Sequence, residues 1–382
     1  MTIPGFDLED WVQRVVFGVD RVHELGAELE RLGRRRPLVL CSWRRRRSDE
    51  FGHLAGGLGM TPNVFQGAEE HVPRPVVDAA WRAAREHEAD AIVSFGGGST
   101  IDLGKAVAFI AQNGLEAFDA AQDLPAASQP DDAQPSGPPA LAHVAVPTTY
   151  SGAEASGCFF VSEGQEKRRL AGPGTRPDVV VGDPSLTLTL PWKPTGGTGM
   201  TALANCVEGL TSGSRTEWTD SLAIGAARSL ARLLPVVSKN PMRVRERGDA
   251  MGAAYAAGVV SDLVGKALHQ TMCVGLGART GAPHGVAGAI LLPHVIRVNL
   301  EAAEEGLALF AEALGARDPA GAADEMEAMA AGLGLPRRLR EVGVFEQDLE
   351  LVAAWTADRP EIRLNPKPVS ADDVLAILRA AW

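Results

Sequence analysis

The stretch GMTALANCVEGL, residues 199–210, sets Thr201 and Asn205 four apart and Glu208 one turn on, so a helix would carry all three on one face. Such a face serves a metal or a substrate. Thr and Asn offer neither the anionic oxygen nor the imidazole nitrogen that divalent ions prefer, which turns the question towards substrate. A second stretch, SFGGGSTIDLGKAVAFI at 94–110, joins an apolar strand to a helix through Gly96, Gly97 and Gly98. Glycines there let a ligand approach the backbone, and the free N–H groups of a helix start attract phosphate, although three glycines also make an ordinary tight turn. Asp102 and Lys105, one helical turn apart, are placed to reach a ribose and a phosphate, or to pair with each other. In VPTTY, Pro147 fixes a strand exit while Thr148 and Thr149 present hydroxyl donors.

These residues need elements to position them. RPLVLCS (36–42), ADAIVSF (89–95) and ALAHVAVPTT (140–149) read as buried strands and VVDAAWRAAREHEAD (76–90) as a helix, an alternation that predicts a parallel α/β arrangement. The Pro/Ser/Asp-rich interval 123–139 reads as an exposed loop. Residues 161–184 alternate apolar strands with polar turns, and after Leu190 the pattern is helical, rich in Ala and Leu. The expected plan is an α/β nucleotide-binding domain over 1–184 and an all-helical domain over 185–382, with the ligand cleft between them.

Composition narrows the class. The 382 residues are 45% apolar, enough for two packed domains, and 37 basic against 48 acidic residues give a net charge of -11. That balance argues against nucleic acid or an anionic membrane as partner and favours a small-molecule substrate. Cys41, Cys158, Cys206 and Cys273 form no CxxC pair and read as buried thiols in a reducing compartment. The N-terminus lacks a basic stretch followed by an apolar run, and no window reaches the length of a membrane span; the reading is cytoplasmic.

FGGGSTIDLGKA, VPTTYSGAE, GDPSLTLTLP, GMTALANCVEGL and APHGVAGAILLPHV resemble, in the same order, the motifs of the iron-containing alcohol dehydrogenase family, with the closest likeness to its maleylacetate reductase branch. The resemblance runs from Val15 to the C-terminus. It implies the dehydroquinate synthase-like fold of that family, a homodimer, and a nicotinamide cofactor with Gly96, Gly97, Gly98 and Ser99 at its pyrophosphate. Asp102, Lys105, Thr148 and Thr149 fall at matching cofactor positions, with Leu190 along the cofactor path.

Metal-dependent members of that family carry an Asp and a His where this chain has Thr201 and Asn205, and two further histidines where it has Gln270 and His284. With three of four ligand positions altered, the expectation is no metal. Val274 stands where many relatives keep one more pocket histidine. Charge developing on a substrate oxygen would then be met by protein donors: Asn205, His284, His269 beside the ligand position, and Tyr150, with Glu208 structural.

SWRRRRSDE at 42–50 follows the strand that ends beside the adenosine ribose. An acidic residue there would repel a 2′-phosphate; Ser42 and Arg44 instead lean the expectation towards NADP over NAD, the alternative being a solvated basic loop. The expected function is a metal-independent, NAD(P)H-dependent reductase of a small oxo-acid or enone, with Arg279 and Lys266 available to an anionic substrate. The alternatives are a lyase or cyclase on the same fold, and a cofactor-binding protein without catalysis.

Overall fold

The computed structural model describes residues 13–121 and 140–382; the loop expected at 123–139 and the N-terminal stretch 1–11 lie outside them. The strands are β1 (Arg14–Phe17), β2 (Pro37–Leu40), β3 (Asn63–Phe65), β4 (Ala91–Gly96), β5 (Ala142–Pro147), β6 (Phe159–Glu163), β7 (Glu166–Leu170) and β8 (Val179–Gly182). Between them lie α1 (Leu25–Arg31), α2 (Trp43–Arg46), α3 (Asp49–Leu58), α4 (Arg74–Glu86), α5 (Gly98–Asn113) and α6 (Leu115–Ala120). From Trp192 on, every regular element is helical: α7 (Trp192–Thr211), α8 (Glu217–Lys239), α9 (Val244–Val264), α10 (Leu268–Thr280), α11 (His284–Val298), α12 (Glu304–Leu314), α13 (Pro319–Gly332), α14 (Glu346–Ala357) and α15 (Ala371–Ala381), with short 3-10 turns.

Six strands form one parallel sheet in the order β1-β8-β5-β4-β2-β3. β2, β4, β5 and β8 are short runs buried along their whole length, because helices cover both faces of the sheet. The chain runs from β2 outward to β3 and then back past β2 to β4, so the reversal falls between β2 and β4. Ligands of open α/β sheets sit outside the carboxyl ends of the strands at such a reversal, which is where Ser42 and Gly96–Gly98 lie. β6 and β7 form a separate antiparallel hairpin, and β7 packs on α10 of the helical half.

α7 is the central helix of that half, against α8, α9, α11 and α12. It is admitted by the absence of side chains: a Cβ on Gly199 would meet Leu234 of α8 and one on Gly209 would meet Val260 of α9. α8 departs from expectation, being long and apolar enough by length and composition to cross a bilayer. Its apolar residues Ala223, Ala227, Leu230, Leu234 and Val237 recur at helical spacing and are buried against neighbouring helices, the pattern of an amphipathic core helix. The four cysteines are free and buried.

Candidate active site

A cleft of about 930 Å³ lies between the carboxyl ends of the sheet strands and helices α7, α10 and α11. At its outer end β4 turns into α5 through Gly96, Gly97 and Gly98, none with positive φ. The glycines therefore serve close approach and not an unusual backbone conformation. A Cβ on Gly97 would stand 2.9 Å from Thr149 Cγ2, and one on Gly98 3.1 Å from Ser151 Oγ. No side chain caps the N-terminus of α5, and Thr149 Oγ1 is buried without a partner. Uncapped amides, an orphan hydroxyl and a cradle that any Cβ would fill together fit a dinucleotide pyrophosphate. Thr148 N donates to Gly96 O at 2.9 Å, Ser99 Oγ accepts from His71 N at 3.3 Å, and Leu190 lines the same cleft.

Lys105 lies differently from the sequence expectation. Its buried ammonium donates to Ala153 O and Cys158 O at 2.7 Å each and to Asp102 Oδ1 at 3.3 Å, which uses all three of its protons. It ties the loop after β5 to α5 and has no donor left for phosphate. Asp102 keeps to the same knot, its Oδ2 accepting from Phe160 N at 3.3 Å.

The four arginines after β2 separate. Ser42 caps α2 by accepting from Arg45 N at 3.2 Å. Arg45 turns inward, donating to Thr148 Oγ1 at 3.2 Å, with Glu50 3.6 Å away and the Phe95 ring beneath it. Arg46 stacks on Phe51 and Arg47 on Trp43. Arg44 is exposed on the cleft wall and makes no ion pair with any described residue.

At the inner end, α7, α10 and α11 bring three side chains into one hydrogen-bonded chain. His284 Nε2 lies 3.1 Å from Gln270 Oε1, and Gln270 Nε2 donates to Asn205 Oδ1 at 2.8 Å. Since Gln270 Oε1 is an acceptor, His284 carries its proton on Nε2, and the Asn205 amide N–H groups are left for a ligand. His284 is held well below the usual imidazole range by burial and by Lys167, His269, Lys266 and His71 nearby. It is thus neutral near pH 7. Thr201 lines the cleft while its Oγ1 donates back to Gly197 O at 3.2 Å. Glu208 accepts from Gln270 N at 3.2 Å and sits at the start of α10, where burial pushes its carboxyl up to about 7.

Two expected donors do not reach the cleft. Tyr150 is fully buried among the helices, its hydroxyl accepting from Arg247 Nη1 at 3.1 Å, where the chain bends after β5. His269, one residue before Gln270 on α10, faces about 100° away and meets Gly288 O at 2.9 Å; burial lowers it to about 4. Of the two proposed cations, Lys266 lines the cleft, 3.4 Å from Ser261 Oγ, whereas Arg279 lies outside it and faces Glu166 at 3.7 Å.

The structure adds residues that sequence reasoning missed. Lys167 and Arg169, two apart on β7, project from one face of the hairpin into the inner pocket beside Gln270 and Val274, and both are buried. The signal was the i, i+2 spacing of cations in EKRRL. Lys167 Nζ is 3.4 Å from His71 Nδ1 and over the Phe160 ring, and burial lowers it to about 8. His71 and Val72 both adopt positive φ, 64° and 52°. For a β-branched residue such as Val72 this is strained backbone held in place by its surroundings. The hairpin supplies them, Ser162 bonding to His71 O and Val72 O.

The residues at the four metal-ligand positions do not fit a divalent ion. Thr201, Asn205, Gln270 and His284 provide one imidazole and no anionic oxygen, both carboxamide oxygens are taken by hydrogen bonds, and Lys167 and Lys266 add positive charge nearby. Among the described residues no group of three or more His, Cys, Asp or Glu is placed to bind a metal.

Residues 12–184 match the family described as iron-containing alcohol dehydrogenase, and residues 195–382 match the C-terminal part of the same family. The chain belongs to the iron-containing alcohol dehydrogenase family. Maleylacetate reductase 2 of Cupriavidus pinatubonensis is 34% identical over 373 residues, 97% of this chain and 95% of that protein. The maleylacetate reductase of Rhizobium sp. (strain MTP-10005) is 32% identical over 370 residues, 97% of this chain and 95% of its own length. The crystal structure of maleylacetate reductase from Agrobacterium tumefaciens superposes with a TM-score of 0.79 at 31% identity, covering 100% of this chain and 97% of that one. As a member of this family the chain is an oxidoreductase that uses a nicotinamide cofactor. These relatives are reductases, which leaves the lyase or cyclase alternative without support.

Proposed function

We propose that this enzyme is a metal-independent reductase of a small oxo-acid or enone, using NADPH in preference to NADH. The observation that carries the reading is the Asn205–Gln270–His284 chain, which fills the ligand positions with neutral hydrogen-bonding groups and leaves the Asn205 amide facing the cleft. Gly96–Gly98, Ser99 and Thr149 would hold the cofactor pyrophosphate, and Arg44, without an ion-pair partner at the mouth, would meet a 2′-phosphate. Bound there, a reduced nicotinamide supplies a hydride to the substrate.

The protein's work is to receive the charge that this creates. As negative charge grows on the substrate oxygen, Asn205 Nδ2–H donates to it, fixed in advance because its carbonyl is held by Gln270. His284 stays neutral and orients Gln270. Lys167 and Lys266 make the inner pocket attractive to a carboxylate, in keeping with the maleylacetate reductases among the relatives. Leu190, Phe160 and Val274 supply apolar wall that keeps bulk water from the reacting atoms.

The test is substrate-dependent NADPH oxidation by the purified enzyme with a panel of oxo-acids and enones, products followed by mass, alongside elemental analysis. A two-hydrogen mass gain with no stoichiometric Zn or Fe is expected. One tightly held metal per chain, with activity lost on its removal, would overturn the metal-independent reading; conversion without nicotinamide would overturn the reductase.

A further inference from the structure

Reduction of a carbonyl or enone needs a proton as well as a hydride, and the imidazoles do not supply it. His284 Nε2–H is spent on Gln270, and His269 is turned away onto Gly288. The Tyr150 hydroxyl is bonded to Arg247 outside the cleft. What the inner pocket does contain is two ammoniums with no carboxylate partner among the described residues, Lys266, held at 3.4 Å on Ser261 Oγ, and Lys167. Lys167 is 8% exposed, projects from β7 into the pocket beside Gln270, and makes no ion pair with any described residue.

We propose that Lys167 is the proton donor of this reaction, its Nζ giving a proton to the substrate oxygen as hydride is received at carbon. The inference rests on the reductase reading and deepens it. In the step a C–H bond forms from the hydride and the π electron pair moves to oxygen. One Lys167 N–H bond breaks as the O–H bond forms. With an enone the hydride enters at the carbon β to the ketone and the resulting enol then tautomerises to the ketone. The nicotinamide is oxidised, the substrate reduced, and the neutral Lys167 amine regains a proton from solvent.

Two further features fit this role. His71, lowered to about 4 chiefly by burial, is a neutral acceptor through Nδ1, 3.4 Å from Lys167 Nζ, so it holds the lysine without taking its proton. The His71–Val72 turn that carries it is itself strained and is bonded to both Ser99 of the cofactor cradle and Ser162 of the hairpin, which fixes the lysine relative to the cofactor. The charged and titratable groups facing the lysine are His71, Asp102 of α5, Cys273 of α10 and His284 of α11. Lys266 before α10, Arg169 on the same strand, and Arg359 and Glu361 after α14 line the same pocket. Burial outweighs Asp102 and brings the ammonium to about 8, close to neutrality, where a general acid is most effective.

A merely structural or substrate-anchoring cation would be replaced by arginine without loss of its charge, whereas a guanidinium does not give up its proton. For Lys167→Arg, cofactor Kd by fluorescence titration and Tm should be unchanged and KM should move less than about fivefold, while kcat falls by about 10²–10⁴, the usual contribution of a general acid. Wild-type kcat should be level below pH 8 and decline above it, because the acid must be protonated, and this limb should vanish in the variant. Lys167→Ala covers the case in which arginine is not tolerated. Added primary alkylamines should restore its turnover, more strongly as their ammonium pKa falls. Lys167→Arg retaining kcat with the alkaline limb, or Lys167→Ala indifferent to amines, would overturn the proton donor alone. A wild-type enzyme that reduces no oxo-acid or enone would overturn it together with the reductase reading.

Discussion

Replacing Gly97 by alanine separates cofactor binding from folding. The new methyl would stand 2.9 Å from Thr149 Cγ2 and 3.2 Å from Thr149 Oγ1, closer than carbon contacts allow. Thr149 can turn away cheaply, since its Oγ1 has no hydrogen bond to lose, so the folding cost should lie near the low end of the usual overpacking range of about 1–3 kcal/mol. The methyl would also cover the uncapped start of α5, where a pyrophosphate oxygen meets backbone amides. Losing two charge-assisted hydrogen bonds of about 1.5–3 kcal/mol each removes about 3–6 kcal/mol, or a factor of about 10²–10⁴ in Kd. NADPH fluorescence titration beside thermal melting reads both quantities. Gly96→Ala is the control, because its Cβ would strike Thr100 Cβ at 2.8 Å within the turn itself and should lower Tm more. A Gly97→Ala enzyme that binds NADPH within fivefold of wild type, with unaltered Tm, would refute the assignment of this turn to the pyrophosphate.

Arg44→Ala should weaken NADPH severalfold and leave NADH unchanged, whereas Arg45→Ala, which removes the group tied to Thr148, Glu50 and Phe95, should lower Tm; binding titrations of both variants with both nucleotides check this. Gln270→Leu should cut kcat by about 10–100-fold by releasing Asn205 and His284 together, with cofactor Kd unchanged, the loss expected for misplaced hydrogen-bond donors. Stability should fall between pH 6.5 and 4.5, as read by Tm. Fully buried His143 and His269 and half-buried His71 and His284 have lowered folded pKa values, so the unfolded chain binds their protons first, a stabilisation present above 6.5 and lost below it. Glu154 and Glu208, raised to about 7, act in the opposite sense, since their folded forms take up protons first; two carboxyls offset part of four imidazoles. The net slope should be about 1–3 kcal/mol per pH unit, and a flat or rising Tm over that window would contradict it.

The sheet was legible because β2, β4, β5 and β8 are short, mainly apolar runs, broken by Ser94 and His143, which bond to each other, a pattern that burial on both faces imposes. The cofactor end was legible for a similar reason: backbone contacts demand glycine, and the letter itself is the signal. At the inner end the chemistry depends on which way side chains point, and that is where residue-by-residue reading loses its hold. His269 and Gln270 are neighbours in the chain and face different surroundings because a helix turns about 100° per residue. Tyr150 follows two cleft threonines and yet belongs to the helical core. Lys105 spends its charge on carbonyls from a loop about fifty residues away, a partner no local pattern names. Lys167 was hidden by its setting, a hairpin far in sequence from the glycine turn and from α10.

That hairpin stands apart from the sheet. β6 and β7 share no ladder with the six-stranded sheet, and Glu166 at the start of β7 binds Trp355 Nε1 at 2.7 Å and Arg359 Nη2 at 3.0 Å on the last helices. Substitutions along its inward face can therefore redraw the shape and charge of the inner pocket while the strand register that presents the glycine turn stays as it is. Within such a scaffold new substrates can be explored at the hairpin positions other than Lys167 and Ser162, since Ser162 holds the turn that meets Ser99 of the cofactor cradle. Swapping residues 159–170 between relatives is the corresponding route for directed evolution, provided the exchange keeps the acid at Glu166 that anchors the piece, the lysine at 167 and the hydroxyl at 162.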